Sequence, residues 1–323
     1  MDVIVCTKNS GETLDECLNS LKEQTTPVRI IIVDGNSKDN TLEIARKHGI
    51  EVYQEPYSKN KGNHKATALN YGLIRSESAL VGFVDADTVV PPEWAETMED
   101  YLLERKDVAG VTSGVVNIAK TGFSLAVSKV MTIGSTHGRN FNKETIIESV
   151  PGYNAVYWKR YLEDIGGFNE EIGGCEDWEL NWRLRKARLK LLGIPEVPVE
   201  HRQNCSVKSF AKEMFGYGWS RARLLKKTHI FTPFHALPSL ALLFLIALGI
   251  LYPPTTFSFA TSFLVVPQSW FEKAIEMYLF LIGLFSFMFI SKEFKFKLWL
   301  QTIGAFIIEH LSWAIGYLKG LLD

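Results

Sequence analysis

Composition changes sharply near residue 234 of this 323-residue chain, and the parts on either side must fold by different rules. The first part mixes short apolar runs with polar and charged segments, whereas 234–252, 274–290 and 298–318 are almost wholly apolar. About 20 consecutive apolar residues cross a bilayer as a helix. The sequence therefore predicts three transmembrane helices. The alternative, a buried helical hairpin of a soluble protein, is disfavoured because a chain of this size cannot easily bury three such stretches.

Basic residues that flank the apolar stretches predict their orientation. Basic residues precede the first stretch and separate the second from the third, while 253–271 contains no Lys or Arg. Such basic flanks remain cytoplasmic. The apolar piece 257–266 is too short to span, and it either lies in the interface or re-enters the membrane. The flanking basic residues are Arg221, Arg223, Lys226 and Lys227, and Lys292, Lys295 and Lys297.

Overall composition excludes several classes of protein. With 46% hydrophobic and 22% charged residues the chain is not disordered, and a net charge of -1 offers no general field for nucleic acid. The N-terminus lacks the basic and apolar regions of a secretory signal. Four cysteines without a C-x-x-C pair favour reduced thiols. We expect a cytoplasmic domain over 1–227 and a multi-pass cell-membrane domain over 228–323.

Short β-branched runs in the first part alternate with amphipathic stretches, as in a parallel βαβ sheet. The runs are 3–6, 29–33 and 80–84, and the stretches include 13–24 and 41–48. Ligands of such sheets bind at the carboxyl ends of the strands. The polar residues directly after each run are therefore the first functional candidates: Thr7-Lys8-Asn9, Asp34-Gly35 and Asp85-Ala86-Asp87.

Each candidate has a functional and a structural interpretation. Asp85 and Asp87 offer the oxygen ligands that a hard cation on phosphate needs, or they form an acidic turn. Asp34 accepts hydrogen bonds from a base or ribose, or it belongs to an ordinary Asp-Gly turn. Lys65 lies in a glycine-led helix start at 62–70 that suits a phosphate or is merely solvated. Asp177 begins a helix, where it deprotonates an acceptor hydroxyl or only caps the helix.

Taken in order, these segments resemble the family 2 glycosyltransferases with the GT-A fold, over roughly residues 1–227. The resemblance rests on a first-strand nucleotide motif, a D-G-S-x-D-x-T-like element, a D-x-D motif, and a G-G-F-x-E and E-D region. These are residues 3–9, 34–41, 85–87, 166–170 and 174–180. It implies an α/β fold, with a Rossmann-like, mostly parallel sheet between helices, followed by a C-terminal α-helical transmembrane region.

The resemblance also implies roles for single residues. By the family pattern, Asp34 binds the nucleobase, Lys65 contacts nucleotide or phosphate, Asp87 binds Mg²⁺ or Mn²⁺, and Asp177 is the catalytic base. His201 falls where many GT-A enzymes supply a histidine to the metal or diphosphate, although a satisfied loop histidine is equally compatible. The other predicted nucleotide-sugar contacts are Thr7, Lys8, Asn9 and Asp85, with Asp85 also a candidate metal ligand. The predicted acceptor contacts are Asn154, Glu176, Trp178, Arg221 and Arg223.

The chain departs from the processive polysaccharide synthases because no Q-x-x-R-W follows its E-D. Residues 215–223 instead resemble the Y-G-x-G-R-A segment of nonprocessive, membrane-attached members. We therefore predict an inverting transfer of a sugar to a polyprenyl-linked or other lipid acceptor at the cytoplasmic membrane face. The donor is a nucleotide-sugar, and the resemblance implies that its nucleotide is UDP. The alternatives are a polyprenyl-phosphate sugar synthase, which differs only in its acceptor, and a noncatalytic membrane protein that binds nucleotide-sugar.

Overall fold

The computed structural model describes residues 1–56, 64–132, 140–172, 174–202, 205–229, 233–251, 270–291 and 294–323. The strands are β1 (Asp2–Thr7), β2 (Arg29–Asp34), β3 (Val52–Gln54), β4 (Leu80–Val84), β5 (Thr88–Val89), β6 (Val108–Asn117), β7 (Thr145–Ile146), β8 (Asn154–Trp158) and β9 (Lys190–His201). The helices are α1 (Leu14–Lys22), α2 (Thr41–Lys47), α3 (His64–Arg75), α4 (Trp94–Glu104), α5 (Gly122–Met131), α6 (Lys159–Asp164), α7 (Glu176–Lys186), α8 (Val207–Thr228), α9 (Pro233–Leu251), α10 (Trp270–Ile290) and α11 (Phe296–Leu322).

Contacts within the chain define two compact units. The sheet unit comprises 1–120 and 131–204, and the helical unit comprises 121–130 and 205–323. The helical unit thus takes in α5 and α8 as well as the apolar C-terminal helices. The predicted domain boundary between residues 227 and 228 stays a prediction. In the structure, α8, which ends at that boundary, packs with α11, which follows it.

The sheet unit is built on one mixed sheet. Its strand order is β3-β2-β1-β4-β8-β6-β9-β5, with β7 paired to β9. The pairings among β3, β2, β1 and β4 are parallel, which confirms the predicted βαβ arrangement of this half. In the other half β8 runs antiparallel to both its neighbours, and β6 and β9 are parallel. Functional side chains are therefore expected where β1 to β4 end.

Both faces of the sheet are covered, which explains why its strands read as unbroken apolar runs. Val3 and Val5 of β1 pack on one face in a cluster with Trp94 of α4. Ile4, which points the opposite way, packs with Phe83 of β4 and with residues of α3 and α7. The period of two along β1 thus assigns each side chain to one of two cores.

The helical unit contains the long apolar helices. In the described part of the chain, α10 and α11 are long and apolar enough to cross a membrane. They overlap the predicted spans 274–290 and 298–318. Helix α9 covers most of the predicted span 234–252, but the apolar part described, 236–251, is shorter than a full span. Tyr252, Lys292 and the apolar piece 257–266 lie outside the described residues.

Helices α8 and α11 approach each other through glycines. A Cβ atom at Gly218 of α8 would overlap the carbonyl oxygen of Trp313, and one at Gly316 of α11 would overlap that of Phe215. At Gly320 the distance to the Trp219 carbonyl oxygen would be 2.5 Å. Such contact of backbone with backbone leaves no room for a side chain at these positions.

Candidate active site

The carboxyl ends of β1 and β2 are held together by Asp34. Its side chain is fully buried. Oδ1 accepts hydrogen bonds from the hydroxyls of Thr7, at 3.0 Å, and Ser37, at 2.5 Å. Oδ2 accepts from the Ser37 N–H at 2.9 Å, and Gln54 Nε2 lies 3.5 Å from it. The oxygens of this predicted base-binding residue, and the hydroxyl of Thr7, are thus occupied within the protein.

Lys8 and Asn9 continue from β1 as exposed residues of the same edge. Asn9 has a left-handed backbone with φ of 53°, a conformation that asparagine adopts more readily than most residues. Its N–H donates to Ser37 Oγ at 2.8 Å, and its Oδ1 accepts from the Lys38 N–H at 2.7 Å. These bonds fix the loop after β1 against the loop after β2.

Lys65 forms an ion pair with Asp85. Its Nζ lies 3.0 Å from Oδ1 and 3.1 Å from Oδ2 of that carboxylate. Burial opposes the charged form, but the carboxylates of Asp85 and Glu176 raise the pKa of Lys65 well above its ordinary value. The ammonium group thus stays charged and neutralises Asp85, a pairing that the sequence did not reveal.

Asp87 lies beside His201 because β5 and β9 pair antiparallel, with Thr88 opposite His201. Asp87 Oδ2 is 3.4 Å from His201 Nε2. Burial disfavours the charged carboxylate, but the hydrogen bond and charge of His201, together with Lys65, keep the pKa of Asp87 below its ordinary value. The two residues that were predicted for the metal are therefore adjacent, and Asp87 is ionised.

Two further residues orient His201. Its Nδ1 lies 3.3 Å from Asn117 Oδ1, and the ring of Tyr153 stacks on it with centroids 5.0 Å apart and planes at 24°. The protonated ring donates from Nε2 to Asp87, whereas a neutral ring that donates from Nδ1 to Asn117 would leave Nε2 as a ligand atom for a cation. Neither Asn117 nor Tyr153 was a predicted site residue, since neither belongs to a motif that carries a role.

The donor set fits part of the coordination sphere of a divalent cation. A carboxylate oxygen of Asp87 and a nitrogen of His201 are suitable ligands. Among the described residues, no group of three or more His, Cys, Asp or Glu side chains gathers to hold a metal. The remaining positions would be filled by phosphate oxygens and water. Asp85, the other predicted ligand, faces Lys65, which favours a supporting role.

Asp177 is the second residue of α7, whose start is set by a sharp turn. Gly174 and Cys175 both have left-handed backbones, with φ of 67° and 53°. Asp177 Oδ1 accepts from the Trp178 N–H at 2.7 Å, and Oδ2 accepts from the Gly152 N–H at 3.3 Å. Because Gly152 precedes Tyr153, the loop at 151–153 connects the predicted base with the ring stacked on His201.

The predicted acceptor residues fall in different environments. Trp178 is partly exposed on α7, while Glu176 is buried and acts electrostatically on Lys65. Asn154 is fully buried, and its amide bonds to Trp94 Nε1, Ser113 O and Ser113 Oγ at 2.8, 3.2 and 2.9 Å. This favours a structural role for Asn154.

The two remaining predicted acceptor contacts, Arg221 and Arg223, belong to α8 of the helical unit and are partly exposed. The guanidinium of Arg223 lies 4.5 Å from the ring centroid of Trp219.

A hydrogen-bonded clamp holds α3, the helix that carries Lys65. Asn70 Nδ2 donates to Phe168 O at 2.9 Å and to Glu170 Oε1 at 2.8 Å, and its Oδ1 accepts from the Phe168 N–H at 2.8 Å. Thr67 Oγ1 donates to Glu170 Oε2 at 3.2 Å. The G-G-F-x-E segment thus positions the Lys65 helix, a function that sequence reasoning did not assign to it.

Comparisons with known proteins identify relatives of this chain. Succinoglycan biosynthesis protein ExoA of Rhizobium meliloti is 22% identical over 330 residues, covering 99% of this chain and 94% of that protein. A Methanococcus voltae protein named dolichyl N-acetyl-alpha-D-glucosaminyl phosphate 3-beta-D-2,3-diacetamido-2,3-dideoxy-beta-D-glucuronosyltransferase is 24% identical, covering 70% of this chain and 74% of its own.

Among solved structures, the mannosyltransferase PcManGT from Pyrobaculum calidifontis in complex with GDP-Man and Mn²⁺ is similar in fold. Its TM-score is 0.56 at 17% identity, over 100% of this chain and 87% of that one. The family described as Glycosyl transferase family 2 matches residues 2–166, just over half of the chain and the region that contains Asp34, Asp85 and Asp87. The chain therefore belongs to glycosyl transferase family 2 and has the GT-A fold.

Proposed function

We propose that this glycosyltransferase transfers a sugar from a nucleotide-sugar, with UDP as the expected nucleotide, to a lipid-linked acceptor at the cytoplasmic membrane face. The observation that carries the proposal is the connection of Asp87 and His201 to Asp177 through the loop at 151–153. This connection supports the proposal that a diphosphate site and a carboxylate for proton transfer share one set of strand and helix ends.

The donor diphosphate is proposed to bind beside Asp87 and His201. A divalent cation at these residues would neutralise the charge that develops on the leaving diphosphate. Lys65 neutralises Asp85 behind this site, so that Asp87 presents its charge without a second free carboxylate next to it. Thr7, Lys8, Asn9 and Asp34 form the edge proposed for the nucleoside, with Asp34 and Thr7 holding its frame.

Asp177 is proposed as the general base. A carboxylate at the start of α7 is stabilised by the positive end of the helix and by the Trp178 and Gly152 N–H groups. It accepts the proton of the acceptor hydroxyl as that oxygen bonds to the anomeric carbon and the diphosphate leaves. One displacement inverts the anomeric configuration.

The acceptor is proposed to be attached to a lipid at the membrane. The apolar helices α10 and α11, with α9 as a third span, would hold the protein at the bilayer. Arg221 and Arg223 precede α9 and would meet lipid phosphate at headgroup depth. The name of the Methanococcus voltae relative, which describes a dolichyl phosphate-linked saccharide, supports an acceptor of this class.

A turnover assay tests the proposal. The purified protein in detergent is incubated with UDP- and GDP-sugars, Mn²⁺ or Mg²⁺, and polyprenyl-linked acceptors, and nucleoside diphosphate and lipid products are measured. We expect metal-dependent release with a glycosylated lipid, reduced at least about a hundredfold by Asp87→Ala. The exposed Asp100 provides the matched control, Asp100→Ala.

The acceptor arms of the assay separate the candidate reactions. Transfer to a lipid-linked saccharide supports the proposed extension reaction, whereas transfer to a bare polyprenyl phosphate identifies a polyprenyl-phosphate sugar synthase. The proposal is wrong if a soluble acceptor alone is glycosylated or if no nucleotide-sugar is consumed.

A further inference from the structure

Strand β9 is interrupted by a bulge before its carboxyl end. Ser113 of β6 pairs with Ile194 of β9. Two residues further along β6, Val115 pairs with Val199, which is five residues further along β9. The segment between, 195–198, reads Pro-Glu-Val-Pro. Because proline has no N–H for a ladder bond and is confined within sheets to edges and bulges, this segment suits an interruption of the strand.

The bulge decides which side chain of β9 lies on the face of the sheet that carries the Asn117 side chain. Side chains alternate between the two faces of a strand. Without the bulge, Pro198 would pair with Asn117, and His201 would lie beyond the end of β6 on the opposite face. With it, His201 pairs with Asn117 and lies 3.4 Å from Asp87. A shift by an odd number of residues exchanges the faces of a strand, so the bulge puts His201 where Glu200 would otherwise point.

Val197 holds this bulge in a strained backbone conformation. Its φ is 47°, in the left-handed region. A β-branched residue is a genuine outlier there, and the proline that follows restricts the backbone further. Such conformations persist only where the surrounding structure imposes them, and they cluster at functional sites. We therefore looked for the group that fixes Val197.

A buried hydrogen-bond relay supplies that group. Ser113 Oγ donates to the Val197 carbonyl oxygen at 2.7 Å, while the Gly114 carbonyl oxygen is more distant, at 3.4 Å. Asn154 Nδ2 donates to Ser113 Oγ at 2.9 Å, and Trp94 Nε1 donates to Asn154 Oδ1 at 2.8 Å. An indole N–H can only donate, so it fixes which end of the Asn154 amide faces Ser113. The Ser113 hydroxyl accepts from that amide and directs its single proton to Val197.

We propose that Ser113 is a positioning residue, which through Val197 holds the bulge that turns His201 toward the proposed cation. A displaced His201 ring would move its nitrogen away from the oxygens of Asp87, and a cation held by both would bind less tightly. Asn154 acts on the site through Ser113 and needs no contact with an acceptor. This inference rests on the proposed function and deepens it, since it assigns the residues that orient a proposed metal ligand.

Binding of Mn²⁺ to the full chain in detergent with UDP, followed by electron paramagnetic resonance, tests this assignment. Ser113→Ala removes the bond to the Val197 carbonyl oxygen, and we expect it to weaken Mn²⁺ binding about tenfold. Glycine adopts the left-handed conformation without strain, so Val197→Gly should bind Mn²⁺ as wild type does. In the Ser113→Ala background, Val197→Gly should restore the affinity to within about threefold of wild type. Such a rescue distinguishes positioning from loss of fold, because a second destabilising change would not restore binding.

Two controls separate the relay from general effects of the substitutions. Ser149 is also buried, and its Oγ accepts from Asn181 Nδ2 at 3.1 Å, so Ser149→Ala removes a comparable hydroxyl outside the relay and should leave Mn²⁺ affinity unchanged. Arg188 also has a left-handed backbone, with φ of 63°, but it precedes β9. Arg188→Gly in the Ser113→Ala background should therefore restore nothing. If Ser113→Ala does not fold, Ser113→Cys replaces it, since a thiol is a weak donor.

The outcomes separate this inference from the proposed function. If the wild-type protein binds Mn²⁺ with UDP and Ser113→Ala binds it equally tightly, Ser113 does not position His201, while the proposed function stands. The same conclusion holds if Val197→Gly and Arg188→Gly restore binding equally, or if neither restores it. If the wild-type protein binds no Mn²⁺ with UDP, the proposed metal site is wrong, and this inference fails with it.

Discussion

The sheet unit and the helical unit use glycine in different ways. In the sheet unit, Gly110 faces the ring of Tyr157 and Gly193 faces the ring of Phe141. In the helical unit, Gly218 and Gly316 face backbone carbonyls of the opposing helix. The first arrangement makes room for large buried side chains, and the second brings two backbones together.

The difference matches the membrane association that the apolar helices α10 and α11 suggest for the helical unit. The sheet unit buries large apolar residues such as Trp94 and Phe83, so removal of apolar surface from water stabilises it. In the helical unit, large side chains such as Phe280 and Met288 of α10 point outward and are more than half exposed. Where lipid surrounds helices, burial of apolar groups no longer favours association, and close packing at small residues takes its place.

Asp177→Asn tests whether the chemistry depends on the sheet unit and membrane association on the helical unit. It has the largest expected effect of the series. We expect nucleoside diphosphate release to fall about 10²- to 10⁴-fold, because the amide cannot accept the acceptor proton. Nucleotide affinity and sedimentation with lipid vesicles should not change, since neither depends on this carboxylate. Release and vesicle binding are measured on the same preparation.

The exposed Asp164 on α6 provides the control, Asp164→Asn, which should behave as wild type. Full activity of Asp177→Asn would show that proton transfer needs a different group. Lost vesicle binding would show that chemistry and membrane association are not divided between the sheet unit and the helical unit.

The parallel pairing of β1 with β2 and β4, with polar residues at the strand ends, illustrates what a sequence reveals. Strand runs and their polar ends follow from local patterns, and family motifs mark the positions that matter. The roles of Asp34 and Asn154 within the fold could not be predicted in this way, because full burial and the distant partners Thr7 and Trp94 depend on tertiary packing.

Contacts between distant segments were equally hidden. The pairing of Lys65 with Asp85 and the bonds of Asn70 to the 168–170 segment join residues far apart in the chain. A motif shows that such residues recur together, but it does not show which side chains form hydrogen bonds or ion pairs with each other. The glycine contacts between α8 and α11 were not predicted either, since a helical glycine looks the same whether it faces a backbone or solvent.

Gly218→Ala tests the close packing of the helical unit. An added Cβ must push apart the backbones of α8 and α11, and we expect a loss of about 1–3 kcal/mol in stability. Backbone amides in about two turns each of α8 and α11 should exchange hydrogen faster than in wild type. The exchange of β1 and β4 should stay as in wild type.

Gly216, on the same helix, is the matched control because a Cβ there would have no neighbour within 4 Å among the described residues outside its own helical turn. Gly216→Ala should be neutral or stabilise α8 by up to about 1 kcal/mol, since alanine favours helix. Equal effects of both substitutions would refute the claim that backbone contact holds this unit together.

Acid should distinguish the two units through Asp2, with the smallest effect of the series. Asp2 Oδ2 accepts from the N–H groups of Glu77 and Ser78 at 2.7 and 3.2 Å, and Oδ1 accepts from Ser78 Oγ at 2.9 Å. Burial opposes the charge, but these hydrogen bonds hold the pKa of Asp2 below its ordinary value of 3.8. The bonded carboxylate therefore stabilises the folded state above that pH, and this contribution is lost as pH falls through the lower folded pKa.

Asp2→Asn should therefore cost about 1 kcal/mol at pH 7, and its difference from wild type should shrink below pH 3.8. Urea unfolding at several pH values, with hydrogen exchange to separate β1 from α11, measures both effects; Asp100→Asn at an exposed position is the control. The loss should appear in the sheet unit alone, because its strand start depends on an ionised carboxylate whereas the α8–α11 contact depends on backbone fit. A difference that stays constant with pH would mean that Asp2 acts through shape rather than charge.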